Sequence, residues 1–250
     1  MKIKENNLKE IIGFIILTMI LLKFLRWLVG EGLSDYWNVM FFSELCILIV
    51  VSLMNWLYFK VQVETRIGYL RTGLLLSIPA LIPAAANYLQ MKQLPPWPTA
   101  LKLLALSLLV GCFEELLFRG MLLRSLLIKW RGLKHGPLLA LFVSSVVFGL
   151  IHLINLMHQS LPATFYQVEF AFSVGMLLGG IYLRSHNIFL CIFLHALIDS
   201  GAFFANWMNN SVTMQTPAIW MLAAGIIVFA PYYLLGVIYV RPSKRKTIFE

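Results

Sequence analysis

Long apolar runs, broken at regular intervals by short polar stretches, set the pattern of the chain. A helix that crosses a bilayer needs about 20 mostly apolar residues. Eight runs approach or exceed that length, at 11–28, 37–59, 73–91, 99–127, 137–157, 165–183, 187–208 and 217–240. Tryptophans fall near many of their ends (Trp27, Trp37, Trp56, Trp97, Trp130, Trp207, Trp220), where indole rings favour the membrane interface. The pattern predicts an all-α, polytopic membrane protein with about eight transmembrane helices. Residues 1–250 read as a single integral membrane domain, because no polar stretch is long enough to fold separately.

Composition agrees. The chain is 60% hydrophobic and 12% charged, whereas a soluble domain carries about 25% charged residues. So little charge cannot cover a water-exposed surface. The first run carries Lys23 and Arg26 and lacks a small-x-small cleavage site, so it reads as a retained helix and not as a signal peptide. Gly175 and Gly179 form a small-x-x-x-small face for close helix contact, and Pro79, Pro83 and Pro231 are candidate kinks. Cys46, Cys112 and Cys191 sit inside apolar runs without a C-x-x-C pair, and are expected to be buried structural thiols.

Charge then orients the helices. Lys2, Lys4 and Lys9 precede the first run, and Lys60, Arg66 and Arg71 fill the second loop. Lys129, Arg131 and Lys134 occupy the fourth loop, Arg184 the sixth, and Arg241, Lys244, Arg245 and Lys246 the tail. The alternate loops hold only Lys92. The positive-inside rule therefore predicts both termini in the cytoplasm. The net charge of +9 reads as a topology signal with attraction to anionic lipid. The basic residues are scattered among short loops and form no patch for nucleic acid.

Ionisable groups at membrane depth cost roughly 2.5–3.5 kcal/mol each and are candidate functional residues by default. The fourth run reads Gly111-Cys-Phe-Glu114-Glu115-Leu-Leu-Phe118-Arg119-Gly120. Glu115 and Arg119, at i and i+4, share a face and can pair, while Glu114 is rotated by about 100° and left for another task. The fifth run supplies Phe148 and His152, and the seventh supplies His195 and Asp199, again at i and i+4. At 1.5 Å per residue, Glu114, His152, His195 and Asp199 lie about 20, 22, 12 and 18 Å from the cytoplasmic ends of their helices. All fall near the middle of the bilayer. Glu44 and Glu169 lie closer to the outer ends and read as interfacial or structural, and His135, His158 and His186 as solvated.

This set suits hydrolysis. A buried glutamate beside a histidine can hold and deprotonate water, and polar groups opposite can stabilise the oxyanion formed at a carbonyl. Two histidines and a glutamate (Glu114, His152, His195) could instead hold a zinc ion, although the H-E-x-x-H helix is absent. No serine occupies a nucleophile elbow, and Cys112 has no histidine one turn away.

The order E-E-x-x-x-R, F-x-x-x-H, H-x-x-x-(N/D) on three hydrophobic helices resembles the CAAX-protease and bacteriocin-processing (Abi) family, the type II CAAX prenyl endopeptidases. The match runs over about 101–199. The resemblance implies an intramembrane endopeptidase, glutamate- or metal-dependent, acting on a membrane-associated peptide or prenylated protein. It implies that Glu114 and His152 position the attacking water, that His195 and Asp199 face the scissile carbonyl, and that Glu115 and Arg119 support the site. The eukaryotic members resembled here carry Asn where this chain has Asp199, and an aspartate donates a hydrogen bond only when protonated. The expected setting is a bacterial plasma membrane, with the site reached from the cytoplasm. The rival readings are a non-catalytic bacteriocin self-immunity or scaffold protein, and a proton- or ion-coupled transporter. A transporter is expected to show repeated halves.

Overall fold

In lipid a backbone satisfies its polar groups within its own helix, and the apolar runs form helices accordingly. The computed structural model describes residues 8–91, 93–209 and 217–249; Lys2, Lys4 and Lys92 lie outside them. The helices are α1 (Leu8–Gly30), α2 (Tyr36–Phe59), α3 (Leu70–Tyr88), α4 (97–129), α5 (Gly136–Met157), α6 (Leu161–Ser185), α7 (Ile188–Met208), α8 (Ile219–Tyr239) and the short tail helix α9 (Arg245–Phe249). Among the described residues seven helices, α1 to α3 and α5 to α8, are long and apolar enough to cross a membrane. The fourth helix is longer still, but Lys102, Glu114, Glu115, Arg119, Arg124 and Lys129 interrupt its hydropathy. It packs against α2 and α7, so its charges meet protein. The chain is an all-α integral membrane protein.

Two helices form the centre. α6 packs against α3, α5 and α8, and α7 packs against α3 and α4. Small residues set these approaches. A methyl group on Gly179 would sit 2.4 Å from Leu141 Cδ1 of α5, and one on Gly236 would sit 2.5 Å from the Met176 carbonyl of α6. Gly175 meets Ser145 and Phe148 in the same way, so the Gly175/Gly179 face is a packing face. Pro79 falls in a 3-10 turn at Ile78–Ala80, while Pro83 and Pro231 lie inside continuous helix. Cys191 is buried and Cys112 half-buried, but Cys46 is exposed. The expectation of three buried thiols fails at Cys46, which looks outward from α2.

Alternating helix directions define two faces. The terminal face carries the start of α1 and the end of α8; the distal face carries their other ends. On the terminal face the connection at 60–69 folds back against the turn between α6 and α7. Thr65 pairs with Asn187 in an isolated antiparallel bridge, Arg66 N donates to the His186 carbonyl (2.8 Å), and Ile188 N donates to the Glu64 carbonyl (2.9 Å). The Glu64 carboxylate contacts Arg124 at 2.8 Å and His186 Nδ1 at 2.7 Å. His186 Nε2 donates to the Thr247 carbonyl (2.7 Å), and His186 is only 1% exposed. The sequence reading of His186 as solvated is therefore wrong. A two-residue connection at left-handed φ of 52° tucks its ring under the tail.

Candidate active site

Two local features bring the polar residues together. Gly111 lets α4 approach α7 closely, since a methyl there would lie 3.0 Å from the Ile192 carbonyl and 3.4 Å from Ala196 N. Directly after Glu115 the helix widens into π-type turns over Leu116–Leu123, a device concentrated at functional sites. The wider turn brings Arg119 more nearly in line with Glu115 than an α-turn would. Ser144 of α5 donates to the Phe118 carbonyl in this segment (3.1 Å), fastening the irregular stretch to its neighbour.

His195 is the hub. Its Nδ1 lies 2.7 Å from Glu115 Oε1, and its Nε2 lies 3.5 Å from Glu114 Oε2 and 3.4 Å from Asp199 Oδ2. A carboxylate can only accept, so Nδ1 carries a proton. Arg119 Nη1 reaches Glu115 Oε1 at 2.9 Å, with both residues essentially excluded from solvent. The approach is off the hydrogen-bonding line, and both Nη atoms and Glu115 Oε2 are without hydrogen-bond partners among the described residues. The contact is thus chiefly electrostatic. Glu114 makes no comparable contact with Arg119, and it faces a cavity together with His152, His195 and Asp199.

Phe148 binds the set from beneath. The Arg119 guanidinium stands 4.4 Å over its ring centroid, and the rings of Phe118, His152 and His195 lie edge-on at 5.0, 5.3 and 6.0 Å. The sequence analysis found Phe148 only as a motif letter; its role as a shared platform depends on helices that sequence does not place. His152 lies in a 3-10 stretch (Ile151–Met157), and its Nδ1 is 2.9 Å from the Phe148 carbonyl. Donation from Nδ1 leaves Nε2 with its lone pair in the neutral ring.

Sequence reasoning also missed Arg26, whose pairing makes Glu44 the structural group it was read as. Glu44 is 2% exposed, pairs with Arg26 at 2.5 Å, and lines the same cavity. Its i+18 relation to Arg26 carries no local signal. Glu169 does not line the cavity.

The proposed metal ligands do not converge. Among the described residues no three His, Cys, Asp or Glu side chains form a group able to hold a metal ion. Glu114, His152 and His195 share the cavity wall without forming such a group. The Nδ1 atoms of both rings are engaged, by Glu115 and by the Phe148 carbonyl, which leaves each Nε2 toward the cavity.

The cavity measures about 1090 Å³. Beyond the site it is lined by Lys23, Arg26, Tyr36, Gln90, His158, Gln159, Asn206 and Asn209, all toward the distal face. None of its lining residues comes from the terminal-face connections, where a separate, smaller pocket is lined by Ser52, Asn55, Trp56, Lys60, Val61 and Leu116.

No curated protein matches the chain. Residues 95–201 match the family model described as type II CAAX prenyl endopeptidase Rce1-like. The matched segment contains Glu114, Glu115, Arg119, Phe148, His152, His195 and Asp199. Over that segment, less than half of the chain, the sequence is similar to the type II CAAX prenyl endopeptidases.

Proposed function

We propose that this chain hydrolyses a peptide bond of a membrane-associated peptide or prenylated protein by direct attack of water, without a metal and without an acyl-enzyme. The observation that carries the reading is the convergence of Glu114 and Asp199 on His195 Nε2 at the cavity floor, with His195 Nδ1 pinned by Glu115.

Glu114 is the general base. Its carboxylate and the His152 Nε2 lone pair accept the two hydrogens of one water and hold it against the carbonyl. As the water oxygen bonds to the carbonyl carbon, its proton passes to Glu114 and the carbonyl electron pair moves to oxygen. His195 Nε2–H faces that developing oxyanion. Collapse of the intermediate breaks the C–N bond, and Glu114 returns its proton to the leaving amine. Asp199, at 3.4 Å from Nε2, keeps a proton on His195; this role suits a carboxylate where a direct oxyanion contact does not. Glu115, Arg119 and Phe148 are positioning residues. Cytoplasmic termini are the orientation that the basic loops favour, and a bacterial plasma membrane is the proposed setting.

The test uses purified protein in lipid vesicles with a panel of membrane-partitioning peptides, some farnesylated at a C-terminal CAAX sequence, read by mass spectrometry. Cleavage that disappears in His195→Ala supports the reading. Turnover surviving that change, or transfer of the acyl fragment to an added amine, contradicts it. A stably folded parent that cleaves none of the panel favours the immunity or scaffold alternative.

A further inference from the structure

Polar contacts reach the site from α3 as well. Asn87 and Tyr88 end that helix and meet α7 on either side of Asp199. Asn87 Nδ2 donates to the Ile198 carbonyl at 2.8 Å, and Tyr88 OH lies 2.6 Å from Ser200 Oγ. Ser200 Oγ gives its one proton to the Leu197 carbonyl (3.1 Å), so Tyr88 is the donor to Ser200. The residues just before and just after Asp199 are thus both tied to α3, and Asn87 lines the cavity together with Asp199.

Gly201 makes the tie close. A methyl group there would lie 2.9 Å from Asn87 Cβ and 3.1 Å from Tyr88 Cδ2. Toward its start, α7 meets α4 in the same manner at Gly111, and His195 and Asp199 sit on the stretch between these two approaches. The two residues are anchored differently. His195 is pinned across helices by Glu115 at 2.7 Å. Among the described residues the one ion-pair partner of Asp199 is His195, on its own helix at 3.4 Å. The placement of Asp199 therefore rests on how its turn of α7 is rotated, and Asn87 and Tyr88 hold that turn. A carboxylate stands about 6 Å from its helix axis, so rotating the turn by about 10° moves it about 1 Å. A displacement of about 1 Å can cost about 10²-fold in rate.

The Asn87 bond does little for folding. Ile198 lies inside α7, where its carbonyl has the amide four residues on as a partner. A polar side chain in a membrane helix is costly, and such residues mark function more often than ornament.

We propose that Asn87, assisted by Tyr88, is a positioning residue for the hydrolysis, fixing the turn of α7 that presents Asp199 to His195 Nε2. The inference rests on the peptidase reading. It extends the site to a helix outside residues 95–201, which the family model matches.

Kinetics of the full chain in lipid vesicles test it, on a membrane-partitioning peptide that the parent cleaves. Asn87→Leu keeps the side-chain size and removes the donor. It should melt within about 4 °C of the parent, while kcat falls about tenfold and KM stays within about twofold. In an Asp199→Ala background nothing is left to position, so adding Asn87→Leu should change kcat by less than about twofold. Tyr88→Phe should show the same dependence on Asp199 with a smaller loss, and it carries the comparison if Asn87→Leu does not fold. A folded Asn87→Leu protein with the kcat of the parent overturns the proposal. So does a loss that appears in full in the Asp199→Ala background, or one that appears as a raised KM at unchanged kcat. A parent that cleaves no peptide defeats the peptidase reading and the proposal with it, whereas a cleaving parent beside an unaffected Asn87→Leu defeats the proposal alone.

Discussion

Removing the Arg119 guanidinium should destabilise the protein through charge more than through lost volume. Arg119 and Glu115 are 2% and 0% exposed, with Nη1 2.9 Å from Oε1. At an effective dielectric constant near 20 that separation corresponds to about 6 kcal/mol of attraction, much of it offset by the cost of burying both charges. Deleting one partner returns none of the other's desolvation cost, and such deletions cost about 3–5 kcal/mol. The cation–π contact with Phe148 at 4.4 Å adds about 1 kcal/mol. Arg119→Ala is therefore expected to lower the melting temperature in detergent by on the order of 10 °C, taking roughly 2–4 °C per kcal/mol for a chain of this size. The informative companion is Arg119→Leu with Glu115→Gln, which removes both charges while glutamine still accepts from His195 Nδ1. It should recover at least half of the lost stability, as replacement of a whole buried pair often does. An Arg119→Ala protein melting within about 2 °C of the parent, or a double variant worse than the single, would refute the paired-charge account.

The remaining predictions concern the terminal face, the departure at Asp199 and the close approach at Gly111. Burial pushes the Glu64 carboxyl up, but the His186 hydrogen bond and the Arg124 and Arg66 guanidinium groups outweigh it and hold the group below the usual carboxylate range. A depressed folded-state value gives stability that is present above the unfolded carboxylate value near 4.3 and is lost as pH falls through the folded one. Thermal stability should thus drop on acidification from pH about 6 to about 3, and Glu64→Gln should be less stable at neutral pH with a flatter acid limb; parallel profiles would contradict this. Asp199→Asn should keep activity within about tenfold, because an amide oxygen can still accept from His195 Nε2, whereas Asp199→Ala should lose about 10²-fold or more; equal losses would deny the orienting role. Gly111→Val should separate α4 from α7 and depress turnover more than it depresses folding, so a variant that folds and retains full turnover would show that this approach does not position the site.

How much of this was legible in the sequence depended on whether the signal was local. Eight hydrophobic runs gave the helices, and the i, i+4 spacings gave the Glu115–Arg119 contact and the shared face of His195 and Asp199. The hydrogen bond from His195 to Glu115 joins α4 to α7. The Phe148 platform joins α5 to both, and the Arg26–Glu44 pair joins α1 to α2. Each depends on which helices are neighbours, and hydropathy says nothing of that. Burial of His186 was hidden for another reason. Its short polar connection reads as a solvated loop, and only the fold-back of 60–69 encloses it.

The central claim is that Glu114 takes the proton of the attacking water, and Glu114→Gln tests it most directly. Glutamine keeps the side-chain shape and replaces a charge at membrane depth by an uncharged amide, so this variant should fold at least as well as the parent. Its turnover on a peptide that the parent cleaves, measured at equal amounts of folded protein in the same vesicles, should fall by about 10²–10⁴-fold with little change in KM. Turnover equal to that of the parent would contradict the account, leaving the helices and their contacts in place but taking the chemistry away from Glu114.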